Sequence, residues 1–164
     1  MTFKNEKQLE KFLLQKCKAA VSDTERKVHD IIDKCLKEFY SQFEPEAYIR
    51  TGQLLHSLVK TGVKSDGKNS YIAEVYIDAD GLNYATGYMP TKSEHFTVGY
   101  ATWDTDTILD VTMTGSYSGL PHGGYAKGTA IWKKSKATID MLGGIYKMLE
   151  RELLAIGVPI KNKT

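Results

Sequence analysis

Four histidines, two cysteines and twenty acidic residues are the raw material for a site in this chain, so their spacing has to decide. His29 and Asp33 share one turn of a helical segment, "HDIID", which lacks the second histidine of a zinc-binding H-E-x-x-H helix. A surface or packing role accounts for His29. No G-x-S-x-G nucleophile elbow is present, and the serines of "SYSGLPHGG" are not flanked at that spacing. The stretch "GLPHGGYAKGTA" has glycines and a lysine, yet Lys127 precedes its glycine, so the phosphate-cradling G-x-x-x-x-G-K-[ST] order is missing. In "DTDTILD" the acids Asp104, Asp106 and Asp110 lack the sixth-position glycine and distal glutamate that wrap an oxygen shell around Ca²⁺. Acids at a helix start explain them as caps. Ten tyrosines suggest base stacking, but Tyr71 and Tyr76 lie among Glu74, Asp78 and Asp80, where a nucleic-acid platform needs cations. Strand packing and subunit contacts are the better account. The expectation is no catalytic residue, no metal and no cofactor.

The elements around these residues follow from periodicity. Between 5 and 43, Leu9, Phe12, Leu13, Cys17 and Ala20, then Val28, Ile31, Ile32, Cys35, Leu36 and Phe39, recur every three or four positions among charges. This predicts one long amphipathic helix. The alternative is a break at "SDTE", Ser22 to Glu25, which matches a capping box. After Pro45 the texture turns to tyrosine, threonine and valine. A β-rich middle at about 56–103 is expected, with a hairpin around "SDGKNS" and a further strand at "HFTVGYATW". A short helix at about 104–114 is read from Asp104 as cap and Gly115 as stop, a strand being the alternative. The closing helix, about 132–156, carries the stripe Ile139, Leu142, Ile145, Leu149, Leu153 and Ile156. Gly157 and Pro159 then end it, leaving a tail at 157–164. Nothing repeats internally.

A chain of 164 residues suits a single domain with its own core. The 22 basic and 20 acidic side chains nearly cancel, so the field is weak and mixed, which disfavours a dedicated nucleic-acid binder. Cys17 and Cys35 form neither a C-x-x-C pair nor a disulfide framework and read as small core residues. The N-terminus scatters charge through its apolar residues, and no apolar run approaches a bilayer span. A protein made and kept on the cytoplasmic side, away from membranes, is expected.

The order of these elements resembles a known family. A long charged helix is followed by R-T-G-x-L-x-x-S, read here as Arg50, Thr51, Gly52, Leu54 and Ser57, and then by a hairpin. His122, Gly123 and Gly124 come next, ahead of Ile131 and Trp132, and the closing helix runs out in "LLAIGVPI". Over nearly the whole chain this is similar to the small neck or tail-component proteins that join head to tail in phages with long non-contractile tails. A longer insert, roughly Asp80 to Tyr100, departs from the commoner form. The resemblance implies an α+β fold, with the long N-terminal helix and the C-terminal helix packed on a small antiparallel β-sheet. It also implies a structural virion protein without catalytic activity, assembled as a homo-oligomeric ring with other neck, connector or tail proteins.

On that reading "YIRTGQLLHSLV" is a structural joint. Thr51 and Gly52 turn the chain out of the long helix, Leu54 and Leu58 anchor a short helical turn, and Ser57 leads into the hairpin, with His56 a packed or surface residue. A helix of nearly forty residues leans on a partner, so Leu9 and Phe12 near its start are expected at a subunit interface. Val158 and Ile160 are expected either to dock on a neighbour or to fold back on their own helix. The expected location is the virion, with the host cytoplasm during assembly. A competing reading is a small phage-encoded regulatory or inhibitor module that binds a host protein; such modules are commonly strongly acidic, and this chain is not. A hydrolase built on His122 has no nucleophile or metal partner in the sequence.

Overall fold

A computed structural model describes residues 3–42, 52–67, 69–82, 109 and 131–160. The fold is α+β: a long N-terminal helix, two C-terminal helices and a small antiparallel β region. Helix α1 spans Glu6–Gln42 without interruption, about 55 Å of helix. Its start is capped, as the Asn5 Oδ1 accepts the Gln8 N–H at 3.0 Å while the Gln8 side chain reaches back to the Lys4 N–H. The cap of this helix is therefore Asn5, with Gln8 bonding back one residue further, to Lys4. At Ser22–Glu25 the helix runs straight through, so no free N–H is left there for a capping box to serve.

After the gap in the described residues, a 3-10 turn at Leu54–His56 leads into β1 (Leu58–Lys60), β2 (Lys64–Ser65), β3 (Tyr71–Ile72) and β4 (Val75–Ile77). The expected hairpin is present in two pieces, β1 with β4 and β2 with β3. Its register changes between them. Thr61 faces Glu74, whose carbonyl accepts the Thr61 N–H at 3.0 Å, whereas Lys64 faces Ile72. From Thr61 to Lys64 is three steps and from Glu74 back to Ile72 is two, so one extra residue sits on the first strand. That is a β-bulge, and Gly62 lies in it with φ of 69°, a backbone region open to glycine at little cost.

Helix α2 covers Ile131–Met141 and α3 covers Gly144–Ala155. The single closing helix expected at 132–156 is thus two helices. Gly143 and Gly144 adopt φ of 92° and 82°, which no continuous right-handed helix contains. Of the short helix expected at 104–114 only Leu109 is described, and it is helical. The expected strand at "HFTVGYATW" and the insert at Asp80 to Tyr100, past Leu82, lie outside the described residues.

Two compact units organise these elements. One comprises Met1–Asp30, Val59–Tyr76 and Thr138–Thr164; among its described residues Ala20, Thr24, Glu25, Met148 and Glu150 are buried. The other comprises Ile31–Leu58 and Ile77–Ala137, with Ile32, Cys35, Leu36 and Phe39 of α1 buried in it, together with Leu54, Leu82, Ile131 and Ser135. The spacing of those four α1 residues places them on one face, as their periodicity predicts. No described helix is long and apolar enough to cross a membrane.

Candidate interaction surface and structural joint

The segment expected to be a joint contains a tight turn. The His56 N–H donates to the Gly52 and Gln53 carbonyls, and the Ser57 N–H and hydroxyl both donate to the Leu54 carbonyl, the hydroxyl at 2.8 Å. Leu54 and Ser57 are buried and His56 is exposed. The Ser57 carbonyl then accepts the Asp78 N–H at 2.8 Å, which starts the β1–β4 ladder. A serine suits this position because its hydroxyl doubles the closure of the turn while its carbonyl stays free for the sheet. Arg50, Thr51, His122, Gly123 and Gly124 lie outside the described residues. Trp132 opens α2 and is exposed.

In the first unit the hairpin is fastened to α1 by a carboxylate of that helix. A bulge leaves one strand N–H without a ladder partner. Here that donor is Gly62, and the buried Glu25 accepts it through Oε1 at 2.8 Å. The Thr61 hydroxyl completes the corner, accepting the Glu74 N–H at 3.0 Å and donating to the Gly62 carbonyl at 3.0 Å. Further out, the Asn69 amide donates to Glu10 at 3.0 Å, so the loop end of the hairpin is also tied to α1. Lys27 pairs with Glu152 and ties α1 to α3.

The proposed interface residues are partly open. Leu9 and Leu13 are exposed, and Phe12 is half-buried with its ring 5.1 Å from that of Phe3 and under the Lys16 ammonium at 5.4 Å. At the other terminus Val158 and Ile160 are half-buried. The backbone there forms a Schellman closure: the Val158 N–H donates to the Leu153 carbonyl at 2.9 Å and the Gly157 N–H to the Leu154 carbonyl at 3.0 Å. This geometry satisfies the helix end by itself. The apolar stripe expected along the closing helix is unevenly buried, since Leu149 and Leu153 are half-buried while Leu142 is exposed. Leu142 belongs to a larger open group around the bend between α2 and α3, with Met141, Ile145 and Tyr146.

Among the described residues no group of three or more His, Cys, Asp or Glu side chains is placed to hold a metal ion. The described residues define an α+β protein. A model of the YomN family matches residues 5–153, nearly the whole chain, and the protein belongs to that family. No curated protein and no solved structure matches it.

Proposed function

We infer that this protein is a structural subunit of a phage neck or tail-completion complex, non-enzymatic, and joining head to tail as one member of a homo-oligomeric ring. The observation that carries this reading is the order of sequence features from the long helix through Arg50–Ser57, His122–Gly124 and Ile131–Trp132 to the closing "GVPI". Membership of the YomN family, whose name points to a phage gene product, supports the phage setting. The exposed apolar side chains near the start of α1 and at the α2–α3 bend are surface of the kind that assembling subunits cover. Its partners on this reading are further copies of itself and other neck, connector or tail proteins, with no sequence-specific nucleic acid and no membrane. It works in the virion and is assembled in the host cytoplasm.

Light scattering coupled to size exclusion, over a wide concentration range, tests the ring. A closed oligomer that builds up with concentration is the expected result. A strict monomer throughout would sink the ring and turn attention to an inhibitor module acting on a host protein.

A further inference from the structure

We propose that the bend at Gly143 and Gly144 is a conformational switch, and that the segment Ile139–Ile156 has a second state in which it forms one continuous helix. This goes beyond the head-to-tail reading and does not depend on it. Three observations point the same way.

The first is the phase of the apolar pattern. Ile139, Leu142, Tyr146, Leu149, Leu153 and Ile156 alternate steps of three and four residues straight through the bend. That is the spacing of a single stripe on one unbroken helix, and a designed helix–loop–helix has no reason to keep it. In the bent state the stripe is cut where it crosses the glycines. The two stripe members that flank the glycines are open, Tyr146 at 65% and Leu142 at 38% exposure.

The second is the asymmetry of the junction. The end of α2 is well made, with the Gly143 N–H donating to the Asp140 carbonyl at 2.9 Å and the Leu142 N–H to the Thr138 and Ile139 carbonyls. The start of α3 is not. Its N-cap position is Gly143, which has no side chain to accept a first-turn N–H, and, as in α2, no acidic residue in the first turn meets the helix dipole. By contrast α1 begins with the Asn5 and Gln8 bonds. The α3 start reads as the interior of a helix that has been opened.

The third is that the two glycines are what the bend requires. Both have left-handed φ, and a Cβ on Gly143 would lie 2.8 Å from the Lys147 Cβ and 3.0 Å from its Cγ. In a right-handed helix neither obstacle exists, and glycine merely weakens the helix. A glycine pair therefore allows both states, whereas alanine at both positions disfavours the bent one on two counts and favours the straight one by propensity. Straightening gathers the six apolar residues into one stripe about 25 Å long.

The test is NMR on the full chain, comparing the wild type with the Gly143→Ala/Gly144→Ala variant. In the wild type, relaxation dispersion is expected at residues 141–147, with minor-state Cα shifts of Gly143 and Gly144 in the right-handed helical range. In the variant, sequential helical contacts are expected to run unbroken from Ile139 to Leu149. Amide exchange at Ile145 to Lys147 should slow by roughly ten-fold or more, and the dispersion should disappear. A wild type without dispersion at the bend, or with a minor state that is not helical there, overturns the switch. So does a folded variant that keeps left-handed shifts at 143 and 144. Should the variant not fold, the minor-state shifts of the wild type decide alone.

Discussion

Replacing Glu25 tests the way the hairpin is held. Its Oε1 accepts the Gly62 N–H at 2.8 Å, within the short range of a charge-assisted bond, and the residue is buried. Glu25→Ala removes the acceptor and leaves the bulge donor without a partner. Hydrogen bonds to charged groups contribute about 1.5–3 kcal/mol, and a stranded donor costs a similar amount. For a chain of this size about 2–4 °C of Tm goes with each kcal/mol, so the variant should melt roughly 3–12 °C lower. Glu25→Gln keeps an acceptor of similar reach and gives up a buried charge, so it should lose less than half as much. Denaturant unfolding measures the global loss, and amide exchange at Gly62, followed by NMR, gives the local readout. The reasoning predicts accelerated exchange at Gly62 in the alanine variant and near-native exchange in the glutamine variant. A Glu25→Ala protein within about 0.5 kcal/mol of wild type, the ordinary range for surface changes, with unchanged Gly62 exchange, would refute it.

Leu36 is fully buried, so Leu36→Ala should cost about 2–5 kcal/mol in denaturant unfolding, as expected for a leucine deleted from a packed core. Leu9→Asp, at an exposed position in the first turns of α1, should leave the melting temperature of the monomer nearly unchanged and impair oligomer formation seen by light scattering. Lys27→Met should lower stability by no more than about 1 kcal/mol, because the lysine of the Lys27–Glu152 pair is half exposed to solvent; a urea titration at low and high salt checks this. Truncation after Gly157 removes the Val158 N–H that closes onto the Leu153 carbonyl. If the tail docks on a partner, the shortened chain keeps its melting temperature and fails in assembly, and a large fall in melting temperature with assembly intact would contradict that role.

Elements governed by local periodicity were legible in the sequence. The α1 stripe repeats over ten turns, and its buried members Ile32, Cys35, Leu36 and Phe39 follow directly from the spacing. The 3-10 turn before the hairpin was expected only through the family resemblance, with Leu54 and Leu58 as its anchors; Leu54 lies in the turn, whereas Leu58 already belongs to β1. The role of Glu25 was not legible. Its partner is 37 residues away, and the donor exists only because the strand register slips by one at Gly62. Within the helix, Ser22 and Glu25 offered a plausible local motif that a continuous α1 has no use for. The bend at Gly143 was hidden for another reason. Glycine is tolerated in helices and the apolar phase is the same on both sides, so the sequence pattern describes the continuous form, while the structure holds the bent one. The proposed interface residues Leu9, Phe12, Val158 and Ile160 could be named only as apolar residues at the ends of helices, since what covers a surface is not written in the periodicity of that surface alone.

Head-to-tail joining is tested most directly by deleting the gene from a phage that carries it and imaging the lysate by electron microscopy. Unjoined DNA-filled heads and free tails should accumulate, and adding the purified protein to that lysate should restore joined particles and infectivity. Complete, infectious particles in the lysate that lacks the protein would contradict the assignment.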